Sequence, residues 1–198
     1  MLYTTMHRKP LMLDNNTYTK LKKFINAYSG KGTKQKKFSE AIELLLRRYH
    51  FIYTADTRIR DYVLAFVSEL SKYENIHGIL LFGSVAKNSY SHDSDIDLMV
   101  LSSAGFKTTF DEIEASLSKT EKLRVETLLV SKMFMGISPM IVTQDSLEKF
   151  NPIYFDLADF GIPLFDRNMV LENFLHKIGN MPHKRRLTVN GEILEWSS

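Results

Sequence analysis

The stretch Leu80–Leu101, LLFGSVAKNSYSHDSDIDLMVL, narrows the architectures open to this chain more than any other segment. The apolar run Ile79–Phe82 reads as a buried strand, and it stops at Gly83-Ser84. A glycine there lets the backbone turn sharply and approach a ligand closely. A short helix is expected over 84–88, with its free N–H groups facing outward as a phosphate cradle. A second apolar strand follows over Ile96–Leu101, and Asp95 and Asp97 stand at i and i+2 at its start. Residues two apart on a strand project to one side, so the two carboxylates are expected together while Ile96, Leu98 and Val100 pack behind them. Like charges held that close repel unless a cation shares them. Hard oxygen donors with room for phosphate oxygens suit Mg²⁺ or Mn²⁺. The plain alternative is an edge strand whose aspartates face water.

Organisation along the rest of the chain fits a mixed α and β domain. Helical periodicity runs over residues 57–73, through Ile59, Val63, Phe66, Val67 and Leu70, and again over 107–119, through Phe110, Ile113 and Leu117. The run Leu123–Val130 alternates and reads as a third strand, and Met140–Thr143 as another short one. A helical turn is expected over 146–150, and Phe165 begins a segment that leads into a helix over roughly 168–178. Asn190-Gly191 between two alternating runs signals a closing hairpin. Strands separated by helices indicate an α+β sheet domain.

Charge divides the 198 residues in two. Residues 1–50 carry eleven Lys/Arg against three Asp/Glu, a net 11 − 3 = +8; the remainder carries fifteen against twenty, a net 15 − 20 = −5. We therefore separate a basic module, residues 1–55, from a body, residues 56–198. The module reads as strand 9–13, capped helix, basic loop KGTKQKK and second helix. It faintly resembles the ribbon-helix-helix DNA-binding pattern, although Pro10 within the strand opposes that. A helical cap packed on the body is the competing reading, and an exposed strand there would favour a homodimer. Cysteine is absent, which excludes disulfides and thiolate chemistry and fits a reducing cytoplasm. No run of about 18 apolar residues suggests a membrane span, and the N-terminus lacks an apolar core and cleavage site for secretion.

The segment GSVAKNSYSHDSDIDL resembles the signature of the DNA polymerase β-like nucleotidyltransferases, especially their small minimal branch. Downstream, NPIYFDLADFGIPLFDR is similar to the segment that follows this domain in archaeal nucleotidyltransferase-domain proteins of similar size, with an aromatic-rich strand and an Asp-Arg before the last helix. That signature is an apolar strand, Gly-Ser, one residue, Ala, one residue, Gly, five residues, then Ser-Asp-x-Asp and an apolar residue. Gly83, Ser84, Ala86, Ser94, Asp95, Asp97 and Leu98 fall at those positions with no insertion. Asn88 replaces the usual third glycine, and Asn accepts the left-handed conformation better than most residues. The resemblance implies a mixed central sheet with helices on one face and a C-terminal extension. It also implies metal-assisted attack of a hydroxyl on the α-phosphate of a nucleoside triphosphate, with two ions and release of pyrophosphate. Asp95 and Asp97 would bind the metal. A third carboxylate from the next strand would bind the second ion or act as base, and Glu126 in RVETLLV holds that place. A solvent-facing Glu126 is the plainer reading. Gly83, Ser84, Ser94 and Lys87 would line the triphosphate site, Lys87 otherwise being a solvated lysine.

The expected activity is transfer of a nucleoside monophosphate, most simply AMP from ATP, to a hydroxyl of a protein, an RNA or a small molecule. The alternative is a DNA-binding or antitoxin-like partner that keeps the fold and works through the basic module. His183-Lys184-Arg185-Arg186 reads as an RNA-facing patch or as ordinary surface.

Overall fold

The computed structural model describes residues 56–131, 136–188 and 191–196, together with Tyr18, Thr19, Ile42 and Phe51. The ribbon-helix-helix pattern, the helical-cap alternative and the domain boundary at 55 fall almost wholly on residues outside this set. Phe51, four residues before the boundary, is buried in the same core cluster as Ile59, Tyr62 and Phe66.

Helix α1, Thr57–Leu70, starts where the Asp56 side chain accepts the N–H of Arg58 at 2.9 Å. Its buried stripe, Ile59, Tyr62, Val63, Phe66, Val67 and Leu70, follows helical spacing. Strand β1, Ile76–Phe82, leads into the short helix α2, Gly83–Ala86; strand β2, Ile96–Ser102, comes next. Helix α3, Phe106–Ser131, connects to β3, Ile137–Thr143. A 3₁₀ turn, Gln144–Glu148, precedes α4, Ile153–Phe160, and β4, Ile162–Asp166. Helix α5, Val170–Gly179, and the hairpin of β5, His183–Thr188, with β6, Gly191–Trp196, complete the described chain.

The four-stranded sheet has the order β3-β2-β1-β4. β1 runs antiparallel to β2 and β4, and β2 runs parallel to β3. This is the expected mixed sheet, but its helices cover both faces rather than one. Ile79, Leu81, Leu98 and Val100 pack beneath α1 and α3 with Phe66, Leu70 and Ile113. Leu80, Met99 and Leu101 face the other way and meet Tyr154, Phe155, Leu157 and Leu171 of α4 and α5. The continuous apolar runs of β1 and β2 require this: alternate residues point to opposite faces, and both sets must leave water.

The run Leu123–Val130 is a correction to the strand reading. It is the C-terminal part of α3, which extends for 26 residues. Alternation of Leu123, Val125, Thr127 and Leu129 imitates a strand. The helix prevails because its residues already make helical partners. Thr127 Oγ1 donates to the carbonyl of Leu123 at 2.8 Å, Thr120 Oγ1 to that of Ser116 at 3.0 Å, and Arg124 Nε to Glu121 at 2.7 Å. The third strand beside β2 is β3 instead, and it starts three residues earlier than the apolar run Met140–Thr143 suggests. Likewise, the aromatic-rich segment before Asp166 divides into a helix, α4, and a strand, β4.

Asp166 and Arg167 hold the end of the sheet together. The Asp166 carboxylate accepts the N–H groups of Leu171 and Glu172 at 3.0 and 2.8 Å, which caps α5. Arg167 reaches back to the α1–β1 connection and donates to the carbonyls of Ile76 and Ser71, each at 3.1 Å. The β5–β6 hairpin, paired as Asn190-Gly191 signals, sits on α4, where the His183 ring stacks on Phe155 at 4.3 Å. Among the described residues no helix is long and apolar enough to cross a membrane.

Candidate active site

The site forms at one end of the sheet, where β1 stops and β2 and β3 begin. Phe82 is the last residue of β1, and Gly83 then takes φ +71°. This is the left-handed region that costs a side-chain-bearing residue about 1–2 kcal/mol. The reason for glycine is also spatial. A Cβ on Gly83 would lie 2.1 Å from Asp97 Oδ2 and 3.0 Å from its Cγ. The Asp97 carboxylate therefore occupies the space over the glycine bend.

After the bend, Ser84 is half-buried in the single turn of α2. Lys87 N–H closes that turn on the Gly83 carbonyl at 3.2 Å, and Ser89 N–H bonds the Ser84 carbonyl at 2.9 Å. Asn88, at the position of the signature's third glycine, has φ 53°, so the substitution keeps the left-handed turn. Ser94 braces the following loop: its Oγ accepts the N–H of Ser91 at 2.9 Å. That interaction fixes the approach to the aspartates.

Asp95 and Asp97 flank Ile96, the first residue of β2. Asp95 lies just outside β2 and is exposed; Asp97 is the second residue of β2 and half-buried. Ile96, between them, is buried and donates its N–H to the Gly136 carbonyl at 2.8 Å. That bond holds Asp95 beside the entry to β3, where a Cβ on Gly136 would stand 3.8 Å from Asp95 Oδ1. Burial, and then the charge of Asp95, push the Asp97 carboxyl above its ordinary range. The pair is thus an anionic centre with an electrostatic cost that a divalent cation would remove.

The remaining expected site residues stand elsewhere. Lys87 is turned toward α4: its Nζ lies 3.1 Å from Asp156 and 4.5 Å from the centre of the Phe160 ring. Glu126 is on α3, exposed, with Lys122 at 3.9 Å. α3 packs on the sheet face opposite to that of Asp97, because Ile113 and Leu117 join Leu98 and Val100 whereas Asp97 alternates with them. The strand that does lie beside Asp97 is β3, and the residue in register is Ser138. Among the described residues no group of three or more metal-ligating side chains comes together. Sequence reading missed Ser138, Gly136 and Asp156. The one signal available for them was the helical continuity of Phe106 through Ser131, which displaces the third strand toward residue 137.

Carboxylates at the mouth of a mixed sheet, one seated on a glycine bend that follows a buried strand, make up the candidate site. Residues 66–143 match the family model described as polymerase beta, nucleotidyltransferase. That match runs from within α1 to the end of β3. The chain is also similar to a solved structure from Sulfolobus solfataricus that is provisionally named a nucleotidyltransferase, at 18% identity and a TM-score of 0.32. That likeness covers 70% of this chain and 93% of the other. No curated protein matches the sequence.

Proposed function

We propose that the protein is a Mg²⁺- or Mn²⁺-dependent nucleotidyltransferase that moves a nucleoside monophosphate, most simply AMP from ATP, onto a hydroxyl acceptor. The observation that carries this reading is the Asp97 carboxylate lodged over the Gly83 bend with Asp95 beside it.

Asp95 and Asp97 are the residues that would hold the cation, and their hard anionic oxygens suit it. The Gly83 cradle keeps the Asp97 oxygens at the bend rather than in bulk water. When bound, a divalent ion there would neutralise charge on the triphosphate and on departing pyrophosphate. Gly83 and Ser84 offer the backbone and hydroxyl surface beside that position. In the reaction, an acceptor oxygen bonds to the α-phosphorus. The bond from that phosphorus to the bridging oxygen breaks, pyrophosphate leaves with the electron pair, and the hydroxyl proton passes to water. The acceptor hydroxyl belongs to a protein, an RNA or a small molecule.

The test incubates the protein with α-³²P-labelled ATP, Mg²⁺ and candidate acceptors, and follows pyrophosphate release and label transfer. Transfer that is lost in Asp95→Asn and Asp97→Asn supports the reading. Absence of Mg²⁺-dependent nucleotide binding by calorimetry refutes it.

A further inference from the structure

We infer that this site holds one divalent cation per chain rather than a pair, because Ser138 occupies the place where a third carboxylate would have to stand. The inference rests on the nucleotidyltransferase reading and adds to it a stoichiometry and the residue that sets it.

Asp97 pairs with Phe82 on one side and with Ser138 on the other. Paired residues of neighbouring strands project to the same face. The row across this end of the sheet is therefore aromatic, carboxylate, hydroxyl. β3, Ile-Ser-Pro-Met-Ile-Val-Thr, contains no acid, and neither does the 132–135 segment, Lys-Met-Phe-Met, that leads to it. Ser138 is exposed, so the absent carboxylate is not replaced by packing.

Other acids of the region have separate engagements. Asp93 pairs with His92 at 3.2 Å, Asp156 with Lys87 at 3.1 Å, and Glu126 lies on the helix behind the opposite face. A second dication close to the first would meet repulsion roughly four times that of two unit charges at the same distance. Two-ion sites offset it with anionic donors shared between the ions. Among the described residues the carboxylate donors at this site are two, Asp95 and Asp97.

Equilibrium dialysis with Mn²⁺ and α,β-methylene-ATP, a nucleotide not cleaved at the α-phosphate, counts the ions at saturation. The expected result is one Mn²⁺ retained per chain in the wild type and in Glu126→Gln, and two in Ser138→Asp. Ser138→Glu provides a second route to the same gain, and thermal melts establish that each variant is folded. Two ions in the wild type overturn the inference, as does loss of an ion in Glu126→Gln. If both folded Ser138 variants still retain one ion, the assignment of the missing donor to Ser138 is overturned. If the analogue itself is not retained by the wild type, the nucleotidyltransferase reading fails, and the inference fails with it. That outcome is distinct from retention of the analogue with the wrong ion count.

Discussion

Replacing Gly83 by alanine should both destabilise the protein and displace a metal ligand, and the two effects can be separated. The backbone part comes from φ +71°. An L-residue with a side chain pays about 1–2 kcal/mol there. The steric part comes from a Cβ placed 2.1 Å from Asp97 Oδ2, a separation that cannot persist. Asp97 must rotate off the bend, and an off-rotamer side chain costs about 0.5–1.5 kcal/mol. Together these give about 1.5–3.5 kcal/mol, or a fall in Tm of roughly 3–14 °C for a chain of this size. Calorimetry and urea unfolding measure it. In an Asp97→Ala background the clash with the carboxylate is gone and only the 3.2 Å contact with the Cβ of residue 97 remains, so Gly83→Ala should then cost little more than the backbone part, about 1–2 kcal/mol. Mn²⁺ retention with the nucleotide analogue should be lost in Gly83→Ala alone, since the carboxylate no longer faces the bend. A Gly83→Ala protein that melts with the wild type refutes the reasoning. So does an unchanged cost in the Asp97→Ala background.

Further expectations concern the carboxylate pair and the supports of the sheet. Asp97 is pushed up by burial and by Asp95, so the folded chain binds its proton more tightly than the unfolded one. Its charge therefore opposes folding fully above the raised folded value and not at all below the ordinary aspartate value. In EDTA, Asp97→Asn should raise Tm at neutral pH with the gain vanishing in acid; a loss at neutral pH contradicts this. Mg²⁺ with ATP should raise the Tm of the wild type and not that of Asp97→Asn. Arg167→Ala removes the charge-assisted bonds to the carbonyls of Ser71 and Ile76, along with a longer one to that of Tyr73, and should cost about 2–4 kcal/mol in urea unfolding. Arg167→Lys should recover only part, because lysine lacks the fork that spans both carbonyls. Lys87→Ala breaks a half-exposed pair and should shift stability by less than about 1 kcal/mol. If the ammonium also meets the triphosphate, calorimetric nucleotide affinity should fall by roughly two- to fivefold, more at low salt.

The strand, glycine bend and aspartate pair were legible because each rests on local chemistry. Gly83 is specified by a backbone angle, Asn88 by tolerance of the same angle, and Ile96, Leu98 and Val100 by a two-residue period. The placement of Glu126 was not legible. RVETLLV has the alternation of a strand and an acid in the middle, and only its continuity with the preceding helix argues otherwise. Which strand then neighbours β2 depends on where α3 ends, and a period-two pattern of seven residues contains nothing about its neighbour. The helices on both faces were legible in principle from the unbroken apolar runs of β1 and β2. The segment that covers the second face, α4, was hidden by an aromatic composition that suits strands as well as helices.

By itself, the sequence determined that a buried strand would end in a glycine turn and that two carboxylates would stand together nearby. Both follow from contacts within a few residues along the chain. Only the tertiary structure decided that Asp97 rests on Gly83, that Glu126 lies behind the opposite face, and that Ser138 flanks the pair. Those placements are made by strand pairing between segments about 15 and 40 residues apart, and register between distant strands is set by the packing of whole faces rather than by any local residue pattern.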